Sequence, residues 1–116
     1  MSLQDLSLGE KQRAFTSMVG LLIEWAYNNG YELSFGDAYR DPRVFGEVDE
    51  YKGYGRSRSN HKQRLAIDLN LFKDGVYLSR TEDHRPLGEF WESIGGSWGG
   101  RFHDGNHYSV KHQGMR

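Results

Sequence analysis

The stretch SNHKQRLAIDL, residues 59–69, limits the folds open to this chain more than any other part of it. Leu65, Ile67 and Leu69 alternate with Ala66, Asp68 and Asn70. A period of two is the mark of a β-strand. The alternation sends Asp68 to the face opposite Leu65, Ile67 and Leu69, beside the small Ala66. A carboxylate flanked by apolar residues is costly to bury unless it is paired or binds a metal. Any fold for this sequence has to answer for Asp68.

The remaining elements follow from local signals. Ser7-Leu8-Gly9-Glu10 has the form of a capping box, a hydroxyl followed three residues later by a glutamate. Phe15, Met18, Val19, Leu22, Ile23 and Ala26 then recur at three- and four-residue spacing, and Asn29-Gly30 stops the pattern. An amphipathic helix is predicted over residues 8–29, followed by a short strand over 31–35. Residues 36–60 have no sustained period and read as a long surface loop, a feature that is often functional. After the strand at 64–72, Asp74-Gly75 is a hairpin turn and residues 76–78 are its return strand. Pro86 opens a short helix over 87–94 that Gly95-Gly96 ends. A last strand is predicted over 107–110. No internal repeat or linker is visible, and the 116 residues are read as a single domain spanning 1–116.

Composition closes several alternatives. There is no cysteine, so disulfides and thiolate metal sites are excluded and any metal needs His, Asp or Glu. The net charge of −1 predicts neither a nucleic-acid nor a membrane partner. No apolar run is long enough to span a bilayer, and no signal-peptide pattern opens the chain. The expectation is synthesis in the cytoplasm, with any export by another route. Apolar residues are only 36% of the chain while 14% is aromatic, so large rings are expected to supply much of the core.

Four residues could form a chemical centre. His61 and Asp68 lie seven apart, and Asp104 and His107 form D-x-x-H before the last strand. Two histidines and one aspartate are a sufficient ligand set for a zinc ion that keeps a fourth position open for water. A second carboxylate could then act as general base. Spacing does not decide whether Asp68 or Asp104 is the spare one. The plain alternative is that single His and Asp residues in loops are solvated or cap turns. In a chain with five histidines such a pairing also arises easily by chance.

Three blocks, taken together and in order, carry a resemblance. They are "GDAYRDP" (residues 36–42), "S-x-H-x6-D-L" (Ser59, His61, Asp68, Leu69) and "W-G-G-x-F-x-D-x-x-H" (Trp98, Gly99, Gly100, Phe102, Asp104, His107). The chain resembles the zinc peptidases of the D-Ala-D-Ala carboxypeptidase and L-alanyl-D-glutamate endopeptidase family, which includes many phage endolysins. The resemblance implies zinc held by His61, Asp68 and His107, with Asp104 as general base. It implies that Arg40 holds the substrate or stabilises the developing oxyanion, and that Ser59 hydrogen-bonds near the substrate or orients the metal site. It also implies a Hedgehog/DD-peptidase-like zinc peptidase fold. Three departures stand out. Arg64 occupies a position where the family often has glycine. Asp104 replaces the glutamate of the better-known carboxypeptidases and is closer to the endolysin branch. No appended wall-binding domain is expected.

Other residues have plainer readings. His84, His103 and His112 match no motif and are expected at the surface. Trp91, Trp98 and Phe102 are expected in the core, with Trp98-Gly99-Gly100 letting the backbone pass tightly under the metal site. Lys52, Arg56, Arg58, Lys62 and Arg64 form a basic stretch without intervening acids. It reads as a solvated loop, or else as a contact for an anionic glycan or peptide carboxylates. Tyr51 and Tyr54 either line a peptide cleft or pin that loop.

Three functions compete. The first is a zinc peptidase cleaving the stem peptides of bacterial peptidoglycan. The same residues serve endopeptidase and D-Ala-D-Ala carboxypeptidase action. The second is a non-catalytic, zinc-stabilised cell-wall or ligand-binding module, which would need neither Asp104 nor Arg40. The third is a metal-dependent nuclease, suggested by the Asn60-His61 and Asn106-His107 dipeptides and disfavoured by the near-neutral charge. The sequence thus leads to an α+β domain, a small and mainly antiparallel sheet with the N-terminal helix on one face and a zinc cleft on the other. Its expected partner is a peptidoglycan peptide, with no nucleic acid and no membrane insertion.

Overall fold

Ser7 starts the first helix in the way its sequence predicts. Its Oγ accepts from the Glu10 N–H at 3.2 Å, and Glu10 Oε1 accepts from the Ser7 N–H at 2.9 Å. Helix α1 runs Leu8–Asn28 and buries Phe15, Met18, Val19, Leu22 and Ala26, the stripe of the heptad-like spacing. Gly30 ends it in the left-handed region at φ 88°. The Gly30 N–H donates to the Tyr27 carbonyl and the Tyr31 N–H to the Ala26 carbonyl, the paired bonds of a Schellman stop. The chain then enters strand β1, Glu32–Phe35.

The computed structural model describes residues 3–36 and 64–112. Arg40, Ser59, His61, Tyr51, Tyr54 and the basic residues Lys52, Arg56, Arg58 and Lys62 lie outside the described residues.

Strand β2 is Ala66–Lys73, and β3 is Val76–Leu78. Between them Asp74 and Gly75 both have positive φ, 53° and 79°, as a two-residue hairpin turn of right-handed twist requires. A 3-10 turn, Thr81–His84, leads into helix α2, Arg85–Ser93. Strand β4, Ser97–Trp98, a 3-10 turn, Gly99–Phe102, and strand β5, His107–Ser109, complete the described chain. All strand pairs are antiparallel, in the order β1-β2-β5-β4 with β3 beside β2. The architecture is α+β, a small antiparallel sheet with a long N-terminal helix.

β2 organises the sheet because both of its edges are used. Residues 69–72 pair with β1 on one edge, while residues 66–68 pair with β5 and 71–73 with β3 on the other. Leu65, Ile67, Leu69 and Leu71 join α1, Leu87, Trp91, Trp98, Tyr108 and Val110 in one core. Ala66 and Asp68, of the opposite parity, are buried as well. The strand is therefore covered on both faces in its first half, where the sequence pattern alone describes one covered face.

Two side-chain expectations are corrected. Phe102 is 54% exposed instead of buried. It closes a single 3-10 turn whose inward side is already filled by Gly99 and Trp98. His84 is 2% exposed instead of at the surface, because the 3-10 turn before α2 carries its ring against Tyr108. His103 is exposed and His112 half-buried.

The outer edge of β1 is closed by a side chain. Gly36 donates to the carbonyl of Asp68, so alternation turns the N–H and C=O of Leu33 away from β2. The Tyr27 hydroxyl, one helix turn back, donates to the Leu33 carbonyl at 3.3 Å and accepts from its N–H at 3.2 Å. One hydroxyl thus occupies both positions an incoming strand would use, which blunts the edge. Tyr27→Phe should cost about 0.5–1.5 kcal/mol and speed hydrogen exchange at the Leu33 amide. Urea unfolding and amide exchange check this, and an unchanged Leu33 exchange rate would deny the edge-closing role.

Candidate active site

Asp68 and His107 meet because of strand register. Asp68 on β2 lies directly opposite His107 on β5, so their side chains leave the sheet on one face. The flanking pairs carry the ladder bonds, since Leu69 donates to the Asn106 carbonyl and Val110 to the Leu65 carbonyl. Asp68 and His107 therefore form a non-hydrogen-bonded pair, the kind in which side chains approach most closely. Asp68 Oδ1 and His107 Nδ1 are 3.3 Å apart. Both side chains are largely shielded, at 10% and 15% exposure.

That separation bears on whether the pair suits a cation. Charge-assisted N–H···O bonds are shorter, about 2.7–2.9 Å. Two ligands of one tetrahedral zinc, each about 2.0–2.2 Å from the ion, stand about 3.3–3.5 Å apart. One imidazole nitrogen and one carboxylate oxygen are also donors that zinc accepts in a cysteine-free site. The pair fits the group in chemistry and spacing. Among the described residues no third His, Asp or Glu joins it to make a metal-holding group. His61, the third ligand expected from the sequence, lies outside them.

Asp104 sits on the turn that feeds β5. Its N–H donates to the Gly99 carbonyl, and its carbonyl accepts from the His107 N–H. The residue is exposed, in contrast to the shielded Asp68 and His107. Gly99 lies directly beneath this turn. A Cβ there would run into the Asp104 carbonyl and within 2.7 Å of His107 Cβ, so the expected close backbone passage under the site is present at this glycine. On the other side of β2, Gly36 pairs with Asp68, and a Cβ on it would stand 3.2 Å from the Asp68 Cβ.

Behind His107, Tyr108 points into the core and its hydroxyl lies 2.7 Å from His84 Nδ1. The spacing patterns gave no sign of this pair, because His84 belongs to no motif and lies 24 residues from its partner. Burial pushes the His84 imidazole down to about 4, against a smaller opposing pull from Asp83. Burial likewise raises the Tyr108 phenol. Both groups are neutral across the physiological range.

A family model described as D-alanyl-D-alanine carboxypeptidase matches residues 52–110, just over half of the chain. The match spans Ser59, His61, Asp68, Asp104 and His107 and begins after Arg40. A comparison with curated proteins finds no match.

The buried His84 has a consequence for stability. Its folded pKa is depressed, so the unfolded chain takes up a proton first as the pH falls. The stabilisation is complete above about pH 6.5 and is lost as pH drops toward 4. The loss from this group between pH 7 and pH 4.5 is roughly 2–3 kcal/mol. His84→Asn removes the titration while keeping a polar atom near the Tyr108 hydroxyl. Urea unfolding at the two pH values should show a smaller loss in the variant by about that amount, and equal losses would mean that His84 titrates normally.

Proposed function

The chain belongs to the D-alanyl-D-alanine carboxypeptidase family of peptidases, and from that premise we propose that it is a zinc-dependent hydrolase of bacterial peptidoglycan stem peptides. The observation that carries this reading is the Asp68–His107 pair, 3.3 Å apart on one face of the sheet and inside the matched span. The reading covers an endolysin-like endopeptidase and a D-Ala-D-Ala carboxypeptidase, which mass spectrometry of products from defined muropeptides separates. The place of action is the cell wall, after release from the cytoplasm. Among the described residues no helix is long and apolar enough to cross a membrane.

In this reading His61, Asp68 and His107 hold the zinc. When bound, zinc supplies Lewis-acid polarisation of the scissile carbonyl and lowers the pKa of the attacking water. Asp104 takes the proton of that water on a carboxylate oxygen and passes it to the nitrogen of the leaving amine. Its exposed position on the turn supports the assignment, since a general base must reach water and substrate. Arg40 binds the substrate or stabilises the oxyanion through a planar guanidinium that lysine does not reproduce. Ser59 hydrogen-bonds near the substrate or orients the metal site. Arg64, exposed at the entry to β2, adds a positive charge where relatives often have glycine.

Two measurements test this. Protein purified without added metal should contain about one zinc per chain, and His61→Ala should lose it. Undiminished zinc in that variant would remove His61 from the ligand set. Asp104→Asn should keep zinc and slow the hydrolysis of purified cell walls by about 10²–10⁴-fold. Loss of zinc together with activity would make Asp104 a ligand and exchange the roles of the two aspartates.

A further inference from the structure

The turn that carries Asp104 is fastened at a residue whose identity no motif specifies. Gly105, the next residue, is buried although Asp104 is exposed. Its N–H donates to Thr81 Oγ1 at 3.2 Å, and its carbonyl accepts from Trp98 Nε1 at 2.8 Å. Both backbone polar groups of this one residue are thus held by side chains from two other elements. Contact between the elements is close, since a Cβ on Gly105 would come within 2.6 Å of Thr81 Cα.

Both holders are anchored in turn. Trp98 is 1% exposed and has the guanidinium groups of Arg85 and Arg101 near its ring, at 5.5 and 5.4 Å. Arg101 is itself fixed by two bonds to Glu92. Thr81 opens the 3-10 turn Thr81–His84, whose other end is tied to β5 through His84 and Tyr108. His107 depends on this arrangement less than Asp104 does, because strand pairing with β2 already sets its place.

We infer that Thr81 is a positioning residue for the reaction. By holding the Gly105 N–H it fixes the turn that aims the Asp104 carboxylate, while the ligand face of His107 is held separately by the sheet. The inference rests on the proposed role of Asp104 as general base. A misplaced acid–base group loses rate without losing substrate affinity, and that is the signature Thr81 should leave.

Thr81→Val preserves shape and removes the hydroxyl, and Thr81→Ser preserves the hydroxyl. Thr81→Ala is a second deletion with no added bulk. Three quantities are read on each protein: Gly105 amide exchange, kcat and KM on a stem peptide, and zinc content. The Val and Ala variants should exchange Gly105 at least tenfold faster and lose about tenfold or more in kcat. KM should stay within about twofold and zinc content should not change. Ser should restore both the exchange rate and kcat. Unaltered Gly105 exchange in Val and Ala would overturn the clamp itself. Faster exchange with undiminished kcat would overturn its role in catalysis. Loss of zinc along with rate, unrestored by Ser, would make Thr81 a plain fold anchor. A wild-type protein that cleaves no stem peptide would overturn the proposed function and the catalytic role with it, and the exchange rates would still decide the clamp.

Discussion

The register between β2 and β5 is the constraint on which the candidate site depends. Asp68 and His107 share a face only while residue 68 stands opposite residue 107. A slip by one residue would send one of them to the other face. The polar pair does not hold that register. Ile67 and Tyr108, also directly opposite one another, are packed in the core on the reverse face, and a slip would expose them to water. Apolar burial on one side of the sheet therefore fixes the spacing of two polar groups on the other.

Around that register the aromatic residues do more than fill volume. Trp91 Nε1 donates to the carbonyls of Ser109 and Ser97. Trp98 Nε1 donates to Gly105, and the Tyr108 hydroxyl meets His84. Among the described residues, each buried ring with a polar atom spends it on β5, on β4 beside it, on the turn before β5 or on the segment that backs them. A buried indole or phenol needs a partner, and here the need ties the core to the backbone that carries His107 and Asp104. Several glycines make this possible, because a Cβ on Gly88 or Gly100 would collide with the Trp98 ring and one on Gly96 with Trp91.

The sequence was most legible where the signal is local. The capping box at Ser7 and Glu10, the helical stripe, the Asp74-Gly75 turn and the strands on either side of it each depend on residues a few positions apart. Their boundaries match the structure within about two residues. The segment 97–102 was not legible, since a two-residue strand and one 3-10 turn are too short to show a period. His84 and Phe102 were misplaced for a related reason. Composition favours a surface histidine and a buried phenylalanine, but the faces of short turns are assigned by what the neighbouring elements have already filled.

Local chemistry, then, was set by the sequence alone: which segments of visible period become helix or strand, that any metal must be held by His, Asp or Glu, and that Asp68 needs a partner. The ordered blocks at 59–69 and 98–107 also carried the family. Tertiary structure decided what depends on separation in the chain. Asp68 and His107 are 39 residues apart, and they become neighbours through strand pairing. Thr81 and Gly105 are 24 apart, and their contact exists because a 3-10 turn packs against the approach to β5. Spacing along a chain can propose such pairs but cannot choose among them, because loop closure makes many of them nearly equal in cost. The choice is made by the core, which admits one register and one packing of these elements.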